Sequence, residues 1–205
     1  MAGRLVLLHG TSSSGKTTVA RAVQKLSDEP WVLLGIDVFW NAIDERWMEH
    51  GTRAREGFLW TEGARIVPGP TGQKLAAGMR AAVSAFARAG HDVLADDVFI
   101  DPRWLDGWRT ELAGLDWLLV GVLAPQEVLE EREKARGNRI AGEARAQVNV
   151  VHRGVEYDLT VDTSTQSPED CARPSTSFRS AQACLQHRAH AASSRTPKRR
   201  SGSGW

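Results

Sequence analysis

Short apolar runs alternate with helix-period segments along the first 172 residues of the chain. The apolar runs predict five strands, at residues 4–8, 31–36, 91–97, 117–123 and 157–162. The other periodic segments predict helices at residues 17–26, 38–48, 74–89, 102–112, 125–135, 143–151 and 167–172. Apolar runs of this length are typical of parallel strands that are buried on both faces. The alternation therefore predicts a three-layer α/β fold around a five-stranded parallel sheet.

One segment interrupts this alternation. Residues 49–72 are rich in glycine, proline and charge, and they contain Phe58, Leu59 and Trp60. So long an irregular segment is unusual in a compact domain unless it forms a binding loop or a lid. We therefore expect a loop here, whose aromatic rings either line a substrate pocket or pack in the core.

Length and hydropathy limit the class of protein. With 205 residues the chain can build one sizeable core. No apolar run approaches the roughly 18 residues that a membrane span needs. The apolar run near the N-terminus leads straight into a glycine-rich segment, so it is expected to be structural rather than a signal sequence. These features predict a cytoplasmic protein without a membrane partner, and they leave the oligomeric state open.

The charge is unevenly distributed along the chain. The formal net charge is +1, but from Cys171 onward there are seven Lys or Arg residues and no Asp or Glu. A basic tail can bind nucleic acid, yet this one has almost no apolar periodicity, which favours disorder and no nucleic-acid partner. We therefore expect one domain at residues 1–172 and a disordered tail at residues 173–205. Cys171 and Cys184 imply neither a disulfide nor a metal site.

A glycine-rich segment lies between the first predicted strand and the first predicted helix: Gly10, Thr11, Ser12, Ser13, Ser14, Gly15, Lys16, Thr17 and Thr18. It fits the pattern G-x-x-x-x-G-K-[ST] of phosphate-binding loops. The glycines permit turns in which backbone N–H groups converge on an anion, and the helix dipole adds to the positive field. In this motif Lys16 reaches the β- and γ-phosphates and the Thr17 hydroxyl binds Mg²⁺. The segment predicts ATP and Mg²⁺ as cofactors, the alternative being an ordinary Gly/Ser turn.

Acidic residues follow two of the predicted strands. Ligands of open α/β sheets lie at the carboxyl ends of the strands, where Asp37 follows the second strand. Asp37 could act in catalysis, cap the next helix, or do both. The third strand ends in Asp96 and Asp97, a pattern typical of the carboxylate that orients water on Mg²⁺ in phosphate-loop proteins. We assign that role to Asp96, although the pattern alone does not distinguish the two residues.

Three arginines recur at helical spacing. Arg132, Arg136 and Arg139 lie four and three residues apart, so they share one side of a helix. Their guanidinium groups could clamp a transferring phosphoryl group. The alternative is an exposed face with i,i+4 salt bridges to the glutamates of the same helix. Because a phosphate loop is present, we favour the clamp and predict a small lid at residues 132–142.

Several segments together resemble the chloramphenicol 3-O-phosphotransferase family of phosphate-loop kinases. They are residues 8–16 around the loop, residues 30–37, Asp-Asp-Val-Phe at 96–99, Ala-Arg-Gly-Asn-Arg at 135–139 and Val-Val-His-Arg-Gly-Val-Glu-Tyr-Asp at 150–158. The loop itself is a generic motif, whereas the last three segments are far more specific. The similarity extends from about residue 4 to residue 172 and leaves the tail out.

This resemblance implies a kinase fold with sheet order 2-3-1-4-5 and ATP- and Mg²⁺-dependent phosphorylation of a primary hydroxyl of chloramphenicol. It also implies that Asp37 takes the hydroxyl proton, and that Arg136 and Arg139 belong to a lid over the phosphates. Residues 38–41 and 49–72 depart from the family pattern in regions that build the acceptor pocket. Another small metabolite or a nucleotide sugar is therefore the alternative acceptor. A non-catalytic nucleotide-binding regulator is the alternative from a different class.

Overall fold

The computed structural model of the chain describes residues 1–61, 65–136 and 142–176. Its strands within these residues are Leu5–His9 (β1), Trp31–Leu33 (β2), Met48–Glu49 (β3), Phe58–Thr61 (β4), Arg65–Pro68 (β5), Asp92–Asp97 (β6), Trp117–Leu123 (β7) and Leu159–Asp162 (β8). Its α-helices are Lys16–Leu26 (α1), Ile36–Trp40 (α2), Pro70–Arg88 (α3), Arg103–Glu111 (α4), Gln126–Arg136 (α5), Glu143–Val148 (α6) and Pro168–Thr176 (α7).

The main sheet contains five strands in the order β2-β6-β1-β7-β8. All neighbouring pairs in this sheet are parallel. Numbered among themselves along the chain, these strands have the order 2-3-1-4-5, as the family resemblance implies. β1 lies in the centre of the sheet, so the loop that follows β1 lies at the middle of the sheet's carboxyl edge. That is the edge where α/β sheets bind their ligands.

Helices cover both faces of this sheet. Val6 of β1 packs in one core cluster with residues of α1 and α7, including Val19 and Cys171. Leu5 packs in the other cluster with residues of α3 and α4, including Val83 and Trp108. Because successive strand residues face opposite sides, β1 is buried on both faces, and this explains its uninterrupted apolar run. The predicted three-layer α/β fold is confirmed.

A second, smaller sheet replaces the loop that we expected at residues 49–72. β3 pairs in parallel with β4, and β4 pairs antiparallel with β5. Phe58, Trp60 and Ile66 of this sheet form a buried cluster, against which Trp40 and Met48 pack. The expectation of an irregular segment is therefore wrong for these strands, whereas residues 50–57 between β3 and β4 do form turns. Burial of the large side chains stabilises short strands that local composition does not indicate.

Other boundaries also differ from the predicted ones. The helix expected at residues 38–48 ends at Trp40, and a 3₁₀ turn at Glu45–Trp47 follows. β2 ends at Leu33, so Asp37 lies in the first turn of α2 rather than at the tip of a strand. α7 continues to Thr176, across the boundary predicted between domain and tail. None of the helices in the described ranges is long and apolar enough to span a membrane.

Candidate active site

The loop between β1 and α1 has the backbone that its glycines predict. Gly15 is the N-cap of α1 and adopts a φ of 91°, in the left-handed region that favours glycine. A Cβ on Gly10 would lie 2.4 Å from the carbonyl oxygen of Val122, so this position also requires glycine. The Lys16 ammonium donates hydrogen bonds to the carbonyl oxygens of Gly10 (2.9 Å) and Thr11 (2.8 Å). The lysine is thereby folded over the loop, where its charge faces any bound anion.

The loop also carries hydroxyl groups that no protein atom satisfies. The Oγ atoms of Ser12, Ser13 and Ser14 are buried and have no hydrogen-bond partner among the described residues. Buried polar groups are nearly always paired, so such a cluster indicates a polar ligand. Unpaired hydroxyls beside a lysine at a helix N-terminus suit the oxygens of a phosphate chain. The residues present therefore fit the phosphates of ATP.

The two aspartates that end β6 have different surroundings. Asp96 accepts hydrogen bonds from the Thr17 hydroxyl (3.0 Å) and from the backbone N–H of Ile36 (3.1 Å). Asp97 faces the other side of the strand, where it accepts from the indole N–H of Trp108 (2.8 Å) and from the backbone N–H of Val98 (2.7 Å). Burial raises the pKa of Asp97 to about 6. Asp96 is thus the aspartate beside the loop, and Asp97 belongs to the core.

The Thr17–Asp96 pair is also the arrangement that suits Mg²⁺. No group of three or more His, Cys, Asp or Glu side chains that could hold a metal occurs in residues 1–61, 65–136 and 142–176. Mg²⁺ is usually held by one or two protein oxygens together with substrate phosphates and waters, rather than by a cage of protein ligands. One hydroxyl and one carboxylate beside a phosphate loop fit that donor set.

Asp37 and Arg136 reach the same cavity as the loop. This cavity, which we call the phosphate cavity, is lined by Ser12, Lys16, Thr17, Asp37 and Arg136, among others. It adjoins a larger cleft of about 870 Å³, called the acceptor cleft below after the role that we propose for it. Three residues line both spaces, namely Asp37, Trp40 and Glu143. The exposed carboxylate of Asp37 therefore lies where the phosphate cavity meets the cleft.

Two further cavities flank this junction. An apolar cavity of about 290 Å³ shares Ile36, Trp40 and Trp104 with the phosphate cavity. A cavity of about 400 Å³ is lined by Ser13, Gly15, Thr18, Val19, Arg132, Ala135, Arg136, Thr163, Gln166 and Pro168. The site thus has separate spaces on the two sides of the loop.

The predicted arginines occupy different positions. Arg132 donates to the hydroxyl (2.9 Å) and the carbonyl oxygen (2.8 Å) of Thr163. Thr163 in turn donates to the carbonyl oxygen of Ser14 (2.9 Å), which connects α5 to the phosphate loop. Arg136, at the end of α5, lines both the phosphate cavity and the cavity beyond Thr163. Arg139 lies outside the described residues, so its position in the predicted lid stays a prediction.

Three polar side chains from α5 and α6 complete the site, and sequence reasoning missed them. Glu133 accepts from the backbone N–H groups of Gly142 (2.5 Å) and Ala144 (2.7 Å), which fixes the start of α6. Gln147 accepts from the backbone N–H of Ser12 (2.6 Å) and donates to Glu143 (3.0 Å). The i,i+4 spacing of Glu143 and Gln147 was the available signal.

A buried chain of hydrogen bonds supports the loop from behind. The fully buried ring of His9, just before Gly10, stacks on Phe99 at a centroid distance of 4.1 Å. Its Nε2 accepts from the backbone N–H of Phe99 (2.9 Å). Nδ1 must therefore carry the proton that it donates to the Tyr157 hydroxyl (2.7 Å). That hydroxyl can then donate to Nδ1 of His152 (2.7 Å).

The surroundings of His9, Tyr157 and His152 keep these three hydrogen-bonded side chains neutral. Burial is the main cause that lowers the pKa of His9 to about 2, and the charge of Lys16 and repulsion from a protonated His152 act in the same direction. Burial and Lys16 also lower the pKa of His152, and burial raises the pKa of Tyr157. Gly121 lets the Tyr157 ring approach β7, because a Cβ there would lie 2.9 Å from the ring. His152 and Tyr157 belong to a segment that carries the family resemblance, but sequence alone assigned them no role.

Known proteins are similar to this chain in sequence and in fold. Two curated relatives from Mycobacterium tuberculosis, Rv2636 and MT2714, have names that assign them provisionally as O-phosphotransferases. Each is 32% identical over 179 residues, which covers 83% of this chain and 80% of the relative. The APS kinase CysC of M. tuberculosis, solved with AMPPNP and APS, has a TM-score of 0.60 and 22% identity, covering 87% of this chain and 98% of that one.

Two other solved structures have similar folds. A gluconokinase from Sinorhizobium meliloti 1021 has a TM-score of 0.58 and 18% identity, over 91% of this chain and 97% of that one. The tunicamycin resistance protein of Deinococcus radiodurans has a TM-score of 0.56 and 16% identity, over 84% and 92%. At such identities the likeness shows the fold alone. The family model for chloramphenicol phosphotransferase-like proteins matches residues 3–178, and the chain therefore belongs to that family.

Proposed function

We propose that the protein transfers the γ-phosphate of ATP to a hydroxyl group of a small molecule bound in the acceptor cleft. The observation that carries this proposal is the position of Asp37, which lines both the phosphate cavity and the acceptor cleft. A protein that only bound nucleotide would need no carboxylate at that junction. Membership of the chloramphenicol phosphotransferase-like family makes chloramphenicol and related alcohols the first acceptors to test.

The residues of the loop bind and orient the phosphates. Lys16 would exchange its contacts with the loop carbonyls for the β- and γ-phosphates, and the unpaired serine hydroxyls would donate to phosphate oxygens. Arg136 and Arg139 would approach the transferring group from the lid. The cavity of about 400 Å³ beside Thr18 and Arg132 is large enough to take the nucleoside. APS kinase CysC, which shares the fold, was solved with the ATP analogue AMPPNP.

Thr17 and Asp96 are the residues that would hold Mg²⁺, directly or through water. Bound there, the ion would neutralise part of the charge on the phosphate oxygens. The Thr17–Asp96 hydrogen bond keeps these two oxygen donors together, and the second bond from Ile36 N–H fixes the carboxylate. Asp97 cannot contribute, because its carboxylate is engaged with Trp108 and Val98.

Asp37 would hold the acceptor hydroxyl in line with the γ-phosphate. The hydroxyl oxygen attacks the γ-phosphorus, the bond to the bridging oxygen breaks, and ADP leaves. The hydroxyl proton passes to the Asp37 carboxylate late in the transfer, which avoids a protonated phosphoester. Positioning supplies most of the acceleration in phosphoryl transfer, and such general-base help adds about 10²- to 10⁴-fold.

The apolar cavity beside Trp40 and Trp104 suits the non-reacting part of an acceptor. It lies next to the phosphate cavity, since Ile36, Trp40 and Trp104 line both. An alcohol with an aromatic or aliphatic group could bury that group there while its hydroxyl reaches Asp37. This division of the site favours a partly apolar alcohol.

The test is ADP release measured with and without each acceptor of a panel that includes chloramphenicol. Asp37→Asn keeps the shape of the side chain but cannot take a proton. It should bind ATP normally and lose about 10²- to 10⁴-fold in kcat. Asp28→Asn, an exposed aspartate remote from the site, is the matched control and should match the wild type.

Two outcomes would contradict the proposal. Full activity of Asp37→Asn with an accepted alcohol would remove Asp37 from the mechanism. ATP binding without ADP release for any acceptor would favour a nucleotide-binding regulator. Turnover with another alcohol but not with chloramphenicol would leave the phosphotransferase in place and exclude only that acceptor.

A further inference from the structure

Side chains from two later parts of the chain hold the phosphate loop at two points. Gln147 of α6 accepts a hydrogen bond from the backbone N–H of Ser12 (2.6 Å). The hydroxyl of Thr163 donates to the backbone carbonyl oxygen of Ser14 (2.9 Å). Both contacts join residues more than a hundred positions apart. The position of the loop therefore depends on these side chains and not only on its own glycines.

Gln147 is buried beside the loop in a defined orientation. Its exposed fraction is 2%, and it lines the phosphate cavity. Its amide oxygen accepts from Ser12, and its amide nitrogen donates to the Glu143 carboxylate (3.0 Å). A backbone N–H can only donate and an ionised carboxylate can only accept, so one orientation of the amide satisfies both contacts. Glu143 thus presents the amide oxygen of Gln147 to the loop.

The two contacts with the loop belong to one frame of hydrogen bonds. Arg132 of α5 donates to the hydroxyl and the carbonyl oxygen of Thr163. The neighbouring Glu133 is buried and accepts from two backbone N–H groups at the start of α6. Arg136 lies one turn after Arg132 on α5 and lines the phosphate cavity. The contacts that hold the loop therefore also fix its position relative to Arg136.

We propose that Gln147 is a positioning residue for phosphoryl transfer. Its bond to the Ser12 N–H persists when ATP binds, and it holds the loop in line with Asp37 and Arg136. The phosphates do not require this N–H, because the buried serine hydroxyls of the loop offer donors that have no partner among the described residues. Gln147 acts through the loop and does not contact the reacting atoms. This inference rests on the proposed function, since it assigns a further residue to the same reaction.

The substitution Gln147→Met tests this role, because methionine has a similar length but no amide. Its ATP affinity, measured by calorimetry, should stay within about twofold of the wild type, since Lys16 and the loop hydroxyls remain. Its kcat for acceptor-dependent ADP release should fall by about 10- to 100-fold, because a displacement of roughly 1 Å can cost about 10²-fold in rate. Full stoichiometry of ATP binding in the same experiment shows that the fall in kcat does not come from unfolded protein.

Gln24→Met is the matched control. Gln24 also bonds to the backbone, since it donates to the carbonyl oxygen of Trp31 (2.7 Å), but it lies in the last turn of α1, away from the loop. This variant should keep the wild-type kcat. If Gln147→Met does not fold, Gln147→Asn keeps a polar group but is too short to hold both contacts, and its kcat should fall in the same direction.

An NMR measurement on the wild type follows the contact without an acceptor. With AMPPNP and Mg²⁺ bound, a nuclear Overhauser effect between the Ser12 N–H and the side chain of Gln147 should remain, and its loss would overturn the inference. Tighter ATP binding of Gln147→Met with unchanged kcat would also overturn it, because phosphates would then displace the amide. So would a fall in kcat no larger than that of the control. These outcomes leave the phosphotransferase intact, whereas absence of turnover by the wild type with every acceptor would refute the proposed function and this role of Gln147 with it.

Discussion

Removal of a single hydroxyl group behind the phosphate loop should measurably destabilise the protein. Tyr157→Phe deletes the oxygen that lies 2.7 Å from Nδ1 of His9 and 2.7 Å from Nδ1 of His152. His9 is fully buried, so its Nδ1–H loses its partner with no access to water. An unsatisfied buried donor costs about 1–3 kcal/mol. His152 is only partly buried, so water can replace part of its lost bond.

The expected loss is therefore about 1–3 kcal/mol, a sizeable part of the roughly 5–15 kcal/mol that is typical of a folded domain. Urea unfolding of the nucleotide-free protein measures it, with an unchanged m-value as the check that the denatured state is the same. His152→Ala should lower the free energy of unfolding by less than Tyr157→Phe does, because it leaves only the Tyr157 hydroxyl without an acceptor. The double variant should cost less than the sum of the two.

The pH dependence of protein stability gives an independent test of the state of His9 in this hydrogen-bond network. With a folded pKa of about 2, His9 stays neutral while the unfolded histidine gains a proton below its ordinary value of 6.5. This group should therefore cost stability progressively as the pH falls below 6.5, by about 1.4 kcal/mol per pH unit. A Tyr157→Phe variant whose stability lies within about 0.5 kcal/mol of the wild type would refute the hydrogen-bond assignment.

Three other predictions address the loop, the core aspartate and the tail. Lys16→Ala should abolish ATP binding, as measured by calorimetry. The loss of its two hydrogen bonds to loop carbonyl oxygens should lower the free energy of unfolding by only about 1 kcal/mol. Unchanged ATP affinity would refute the phosphate-loop assignment. Burial raises the pKa of Asp97 to about 6, above the ordinary pKa of 3.8 that the unfolded chain has. The folded protein therefore binds this proton first, so its stability should rise as the pH falls from 6 to 3.8. Asp97→Asn should remove this rise when unfolding is measured as a function of pH. A protein truncated after Phe178, the last residue of the family match, should release ADP in the presence of acceptor at the rate of the full chain. An inactive truncated protein would show that the tail is structural.

Much of the fold was predictable because its signals are local. The phosphate loop needs glycines at fixed positions between a strand and a helix, and all of these features are adjacent in the chain. The boundaries of β7 agree with the predicted residues 117–123, since an apolar run between polar residues marks a strand on both sides. The small sheet was not predictable in this way. β3 and β4 pair residues that lie ten positions apart, and the sheet is stabilised by burial of its side chains against Trp40, so composition within each short strand does not indicate it.

The site divides along the same line. The sequence by itself determined that a phosphate loop, an aspartate after the second strand and an arginine-rich helix end would occur, since each is a short motif. Only the tertiary structure decided that Asp96 rather than Asp97 faces Thr17, because neighbouring strand residues point to opposite faces and the helices assign those faces. It alone also brought Gln147 to Ser12 and Tyr157 to His9, contacts between residues more than a hundred positions apart. Such pairs form when the sheet and its helices pack, and no local pattern in the chain encodes them.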